Sequence, residues 1–267
     1  MIFPASCVGC FVELEQSAFE ESIQLLAAGQ NTGTDVATAT PELNSGYYFQ
    51  RWQATHWCDR CWKKMTPAVN SRCGRCGATL NRPSPLGNQC AHCFGHDLRF
   101  DRAYAIGNYQ GLLQELVIRM KNQHDEALAL QLGTFLGYEL LAQGWTEFDQ
   151  LVSVPSHWMR KLKRGFQAAD ILGERVSQLI GIPKCSQTVS ATRTTAKQGT
   201  LSTTGRRANV HNAFKLHAKA NIEGQHVLII DDVLTSGATT SELARILKQH
   251  GAAEVSVAVV ARGAGVS

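Results

Sequence analysis

The sequence carries little charge and few aromatic residues: 18% of its 267 residues are charged and 7% aromatic, against 44% apolar. That balance excludes a disordered chain and a collagen-like one, and it suits one or two globular domains with a sizeable core. No run of 18 uncharged apolar residues occurs, so no membrane span is expected. The opening MIFPASCVGC lacks the basic flank and apolar run of a signal peptide, which gives a soluble, unexported and therefore cytoplasmic protein as the expectation. Three catalytic signatures are also missing. There is no G-x-x-x-x-G-K-[ST], which excludes a Walker nucleotide site, and neither G-x-S-x-G nor H-E-x-x-H appears.

Cysteine is plentiful instead. Eight of the nine form four C-x-x-C pairs, Cys7/Cys10, Cys58/Cys61, Cys73/Cys76 and Cys90/Cys93, and only Cys185 is left over, read as an inert thiol near a strand start. Two thiolates separated by two residues reach one tetrahedral ion from a tight turn, and a second pair completes a four-sulfur site. Four pairs therefore predict two structural zinc ions. Sequential pairing joins Cys7, Cys10, Cys58 and Cys61 around one ion and Cys73, Cys76, Cys90 and Cys93 around the other; interleaved pairing is the alternative that spacing leaves open. Disulfides would need an oxidising compartment, and a redox C-x-x-C would occur once, at a helix start. His56, His92 and His96 flank the pairs and read as surface histidines.

All paired cysteines precede residue 98, and the longest apolar strand signals follow it, so the expected division is residues 1–98 and 99–267. The first region holds 7 Lys+Arg against 8 Asp+Glu, and the second 19 against 14. Between 158 and 215 lie 11 basic residues and only two acids, Asp170 and Glu174, which points to an anionic ligand. Within the first region, an insertion at about 13–56 reads as a helix (Leu14 to Leu26) followed by a mobile polar loop at 29–46. From 99 onwards helix and strand patterns alternate: helices at 112–121, 126–142, 166–180 and 238–249, strands at 150–154, 227–230 and 254–261. This order predicts an α/β fold with a parallel sheet and flanking helices.

The stretch 227–242 (VLIIDDVLTSGATTSE) is the most informative. A buried strand runs into two acids, Asp231 and Asp232, then through Val233 and Leu234 into the turn Thr235, Ser236, Gly237, Ala238 and Thr239 at a helix start. Backbone amides at such a terminus cradle a phosphate dianion, and Gly237 permits the backbone conformation. The acids stand about one sugar's width before it, facing ribose hydroxyls. Together they predict a ribose 5-phosphate site.

This stretch resembles the 5-phosphoribosyl-1-pyrophosphate (PRPP) signature of type I phosphoribosyltransferases. More narrowly, the whole chain resembles the ComF/GntX group, in which a double zinc ribbon precedes a phosphoribosyltransferase-like domain. The similarity rests on YQGLLQELVIRMK at 109–121, VSVPSHWMRKLKRGF at 152–166, TRTTAKQGTLSTTGRRANVHNAF at 192–214 and the PRPP stretch itself. The resemblance implies a PRPP-dependent transferase using magnesium. Asp231 and Asp232 would hold the ribose 2- and 3-hydroxyls, and Val233 to Thr239 would surround the 5-phosphate. Pro155, Ser156, His157, Arg160, Lys161 and Arg164 would face the pyrophosphate, and a closing catalytic loop at 192–209 would supply Arg193, Thr195, Gln198, Arg206 and Asn209. It departs from the family at Gln167-Ala168, where Asn-Gln is usual, and at Ser156, where an apolar residue is usual. The resemblance further implies a link to competence and DNA uptake. A second reading is thus a non-catalytic PRPP-binding partner whose zinc ribbons and basic face contact single-stranded DNA or competence-machinery proteins. Nothing in the sequence names an acceptor.

Overall fold

The structure, a computed structural model, describes residues 6–12, 56–65, 71–80, 82–123, 125–155, 167–186, 188–193 and 203–263. The chain divides into two compact units, Met1–Met65 and Thr66–Ser267. The composition break at 98 thus falls inside the second unit. Among the described residues, no helix is long and apolar enough to cross a membrane.

In the first unit the turn at Cys7–Cys10 closes through Phe11 N donating to the Cys7 carbonyl at 2.8 Å. Helix α1 (Asp59–Met65) follows Cys58 directly. The insertion helix at 14–26 and the polar loop at 29–46 lie outside the described residues.

The second unit starts with two short antiparallel strands, β1 (Ser71–Arg72) and β2 (Thr79–Leu80), on either side of the Cys73–Cys76 turn. Then come β3 (Arg102–Asn108), α2 (Gly111–Gln123), α3 (Glu126–Ala142), β4 (Gln150–Ser153) and α4 (Ala168–Ile180). A small antiparallel pair, β5 (Val189–Ala191) with β6 (Phe214–Leu216), brackets α5 (Thr203–Val210). The unit ends with β7 (His226–Leu234), α6 (Ala238–Gln249) and β8 (Glu254–Arg262). Helix α5 replaces part of what the sequence reads as one long loop at 192–209.

The main sheet has the order β3-β8-β7-β4, with every pairing parallel. Its two central strands are apolar on both faces, as a helix-covered parallel sheet requires: Val227 to Ile230 in β7, and Val255 and Val257 to Ala261 in β8, are fully buried. Helix α3 starts cleanly because Asp125 accepts from the Leu128 amide at 2.9 Å, satisfying one orphan donor of the first turn. The fold thus agrees with the parallel α/β architecture read from the sequence, and the carboxyl ends of β4 and β7 lie side by side, the end at which such sheets bind ligands.

Candidate phosphate site and metal sites

Strand β7 is longer than the apolar run VLII that announces it. Asp231, Val233 and Leu234 pair with Val259, Ala261 and Arg262 of β8, so the acids lie within the strand and are held by the sheet. Asp231 Oδ1 accepts from the Asp232 amide at 2.9 Å. Burial, followed by the neighbouring charge of Asp232, pushes the Asp231 carboxyl up to about 7 from its ordinary 3.8, and the charge of Lys121 partly offsets this. Lys121, in the last turns of α2, places Nζ 2.9 Å from Asp232 Oδ1. Burial alone would lower the lysine, but the charges of Asp232 and Asp231 outweigh it and hold the ammonium above its usual value. Sequence reasoning did not single out Lys121 as a site residue, because nothing local to α2 shows which strand end it meets.

The cradle follows at once. Gly237 caps α6 with φ +73°, a left-handed conformation that favours glycine. It is also packed closely: a β-carbon there would stand 2.7 Å from Leu98 Cδ2. A larger residue would therefore push the Leu98 side chain aside as well as strain the backbone. The first-turn amides of α6, which a helix leaves without intrahelical partners, face the turn. Leu234 and Ala238 are 2% and 5% exposed, so their side chains belong to the core and only their backbones line the site. Ser236 is buried, and its Oγ has no hydrogen-bond partner among the described residues. A buried orphan hydroxyl in a turn of this kind fits an anionic oxygen acceptor. Val233, Thr235 and Thr239 are half-buried.

Beneath the cradle lies a cation absent from the sequence reading. Arg262, at the end of β8, is 4% exposed, and its Nη1 donates to the carbonyls of Leu234 at 2.8 Å and Thr235 at 2.6 Å, and to that of Gly263. Among the described residues it makes no ion pair with a carboxylate. These bonds hold the two loop carbonyls inward, which leaves the opposite face of the turn to its amides.

The remaining expected site residues divide. Pro155 follows β4 and is half-buried, while Ser156, His157, Arg160, Lys161 and Arg164 lie outside the described residues, as do Thr195 and Gln198. Arg193 is exposed and its Nη2 donates to the His211 carbonyl at 3.0 Å. Arg206 and Asn209 sit on α5. Gln167 reaches back so that its Nε2 donates to the Val154 carbonyl at 2.8 Å, and Ala168, 8% exposed, packs into the core. The Gln167 side chain thus ties the start of α4 to the residue after β4. Cys185 is half-buried, with its amide bonded to the Leu151 carbonyl.

The cysteines form two tetrads, Cys7, Cys10, Cys58, Cys61 and Cys73, Cys76, Cys90, Cys93, so the pairing is sequential. Four sulfurs each about 2.3 Å from one ion stand about 3.8 Å apart at tetrahedral angles. Here Cys73 and Cys93 Sγ are 3.7 Å apart, Cys76 and Cys90 3.7 Å, and Cys90 and Cys93 3.9 Å; in the first tetrad Cys10 and Cys58 are 3.6 Å apart. The thiol geometry fits a zinc ion at both places, closed by protein sulfur on all sides. Metal analysis of reduced protein purified without chelator is expected to return about two zinc equivalents; a value near zero would contradict both sites.

The raised Asp231 also sets a pH dependence. Between about pH 4 and 7 the folded chain holds a proton that the unfolded chain releases, so stability without ligand falls as pH rises through that window and levels off above it. Asp231→Asn is expected to flatten this fall and to raise stability at pH 8 by on the order of 1 kcal/mol. Denaturant titrations at pH 5 and 8 check it, and an equal fall in the variant would contradict the assignment.

Comparison with known proteins places these features. The phosphoribosyl transferase domain family matches residues 162–265. The chain is 33% identical over 209 residues to the DNA utilization protein YhgH of Salmonella typhi, covering 76% of this chain and 89% of that one. It is 32% identical over 208 residues to the YhgH of Escherichia coli K12, with the same shares of the two chains. To the competence protein F of Haemophilus influenzae it is 29% identical over 210 residues, 77% of this chain and 90% of that one. The parallel sheet, the acid pair leading into a glycine-capped cradle and these extended similarities agree: the chain belongs to the ComF family and carries a type I phosphoribosyltransferase domain.

Proposed function

We propose that the protein binds PRPP, as its magnesium complex, or ribose 5-phosphate, and transfers or holds the 5-phosphoribosyl group. The observation that carries this reading is the succession, along β7 and into α6, of two sheet-held carboxylates, a buried unpartnered Ser236 hydroxyl and a glycine-capped helix start. In this reading the amides of the cradle take the 5-phosphate, and Asp231 and Asp232 take the ribose hydroxyls, with Lys121 moving off Asp232 as the sugar arrives. The transferase chemistry is charge handling. Pyrophosphate leaves ribose carbon 1 through an oxocarbenium-like transition state and a nucleophile replaces it. The basic segment 156–166 stabilises the departing charge, magnesium brought in with PRPP neutralises part of it, and the loop bearing Arg193 and Gln198 excludes water. One zinc is held by Cys7, Cys10, Cys58 and Cys61 in the first unit and the other by Cys73, Cys76, Cys90 and Cys93 at the start of the second, in a cytoplasmic protein linked to competence and DNA uptake.

A second reading, a non-catalytic PRPP-binding partner in DNA handling, is favoured by one feature of both cysteine tetrads. Phe11 follows Cys10 and is 69% exposed, and Phe94 follows Cys93 and is 61% exposed. A solvent-exposed aromatic ring beside a cysteine turn offers a surface on which an unpaired base can stack.

Pyrophosphate release from PRPP by the zinc-loaded full chain, measured across nucleobases and single-stranded DNA, separates the two. Acceptor-dependent release supports transfer; binding of PRPP without release supports the partner reading; absence of both overturns the proposal. The same assay tests the residue pair after β4. Because Gln167 already bonds to Val154 and Ala168 is buried, Gln167→Asn with Ala168→Gln is expected to lower thermal stability and not to raise any release rate. A rise of about tenfold, equivalent to about 1.4 kcal/mol in the barrier, would show that the Asn-Gln pair usual in the family stabilises the leaving group in a way that Gln167 and Ala168 do not.

A further inference from the structure

The second tetrad is built into the phosphoribosyltransferase core. Cys73, Cys76, Cys90 and Cys93 belong to one continuous buried cluster with Leu98, Phe100, Leu234, Ala238 and Leu243. Two features fasten the Cys73–Cys76 turn to the sheet edge. Gly77 lies so close to β3 that a β-carbon would stand 3.1 Å from the Ala103 carbonyl oxygen and the Ala105 nitrogen, and Arg72 Nη2 donates to the Ile106 carbonyl at 2.9 Å.

From the same turn, Arg75 reaches in another direction. Its guanidinium donates to the carbonyls of Leu98, Phe100 and Asp101, the last at 2.7 Å, and stands 5.5 Å from the centre of the Phe100 ring. The segment it grips is the one that meets the cradle. Leu98 Cδ2 fills the space beside Gly237, and the Arg99 amide donates to Ser241 Oγ, in the first turn of α6, at 3.3 Å. A continuous path of bonds and packed atoms thus runs from the four sulfurs through Arg75 and Leu98–Asp101 to the residue that caps the phosphate-binding helix. Bridged by one guanidinium to three carbonyl groups, the segment has little freedom to shift without moving the cysteine turn.

We infer that the second cysteine tetrad shapes the phosphate cradle through Arg75 and residues 98–101, so that metal at the tetrad and a phosphorylated ligand at the cradle strengthen each other's binding. Arg75 is a positioning residue: it touches no ligand and acts through Leu98. The inference rests on the ribose-phosphate reading of the cradle for the identity of the ligand. Coupling between two sites is reciprocal, and in proteins it usually spans about 5- to 150-fold. Ligand at the cradle must therefore retain metal at the second tetrad by the same factor that metal there raises ligand affinity.

The test uses the full zinc-loaded chain carrying Cys10→Ser and Cys58→Ser, which leaves the first tetrad two sulfurs, so that one ion remains to follow, at the second. The partition of zinc between the chain and a colorimetric chelator is measured at equilibrium with and without ribose 5-phosphate, whose binding is measured separately by calorimetry. Ribose 5-phosphate is expected to raise zinc affinity about fivefold or more. Arg75→Met, which keeps the aliphatic stem, is expected to retain its zinc, to bind ribose 5-phosphate about tenfold more weakly, and to show no gain in zinc affinity when ligand is raised to equal occupancy. Should Arg75→Met fail to fold, Arg75→Lys, too compact to span the three carbonyls, takes its place. A gain that persists undiminished in the variant would mean that the ligand merely stabilises the whole unit, and it would overturn the strut. Unchanged zinc affinity despite calorimetric binding overturns the coupling and leaves the ligand reading intact. No binding of ribose 5-phosphate to the unmodified chain overturns both.

Discussion

Asp232→Asn combined with Thr239→Val is expected to abolish the rise in melting temperature that ribose 5-phosphate or magnesium PRPP gives the unmodified protein. A ligand at about one hundred times its dissociation constant stabilises the native state by about 2.7 kcal/mol, which for a unit of this size corresponds to a rise of roughly 5–10 °C. In the proposed site the two substitutions would act at opposite ends of the sugar phosphate: one takes a carboxylate from the ribose side, the other a hydroxyl from the first turn of α6. Neither should unfold the ligand-free chain. Thr239 is half-buried, and removing the Asp232 charge costs the ion pair with Lys121 but also relieves the repulsion that Asp232 exerts on buried Asp231. A scan showing the same ligand-induced rise in the double variant would place the site elsewhere.

The second large effect concerns Arg262. Replacing it with leucine would leave the carbonyls of Thr235 and Gly263 without this buried donor, while that of Leu234 keeps the Gly263 amide at 2.9 Å. The cost is about 3 kcal/mol or more, since unsatisfied buried acceptors lose their desolvation energy outright, and the melting temperature should drop by roughly 10 °C. Ribose 5-phosphate affinity should fall with it, by more than about tenfold, because the loop carbonyls are then free to turn toward the anion. Arg262→Lys keeps the charge but not the fork, and should recover part of the stability and little of the loop geometry. A leucine variant as stable as the unmodified protein, with full affinity, would contradict the role given to this residue.

Much of the architecture was legible because it is local. The helix read at 238–249 is α6, that at 126–142 is α3, and the strand read at 254–261 ends one residue later in the structure. The strand read at 227–230 is the instructive difference. It continues to Leu234 because β8 supplies parallel partners as far as Arg262, and that partnership, formed between segments apart in the chain, is what places both acids on a rigid element. The cysteine motif announced metal chemistry, yet spacing left open which pairs join. Only the packed turns show that the pairing is sequential and that the second tetrad shares a core with the sheet. Lys121 and Arg262 escaped the sequence reading for the same reason: each acts on a partner brought to it by the fold, and the run 109–121 that ends in Lys121 does not show which strand end it meets. Gln167 shows the converse. At a departure from the family pattern, its side chain bonds to the Val154 carbonyl and so ties the start of α4 to the residue after β4.

The position of a bound ribose phosphate is the most direct test of the proposed site. A crystal structure of the zinc-loaded chain with ribose 5-phosphate is predicted to show the phosphate oxygens about 2.7–3.2 Å from backbone nitrogens of the Ser236–Thr239 turn, with Ser236 Oγ bonded to one of them. The ribose hydroxyls should lie on Asp231 and Asp232, and Lys121 should be displaced from its ion pair. Phosphate bound away from the amino end of α6, with the Lys121–Asp232 pair intact and Ser236 still unpartnered, would contradict it.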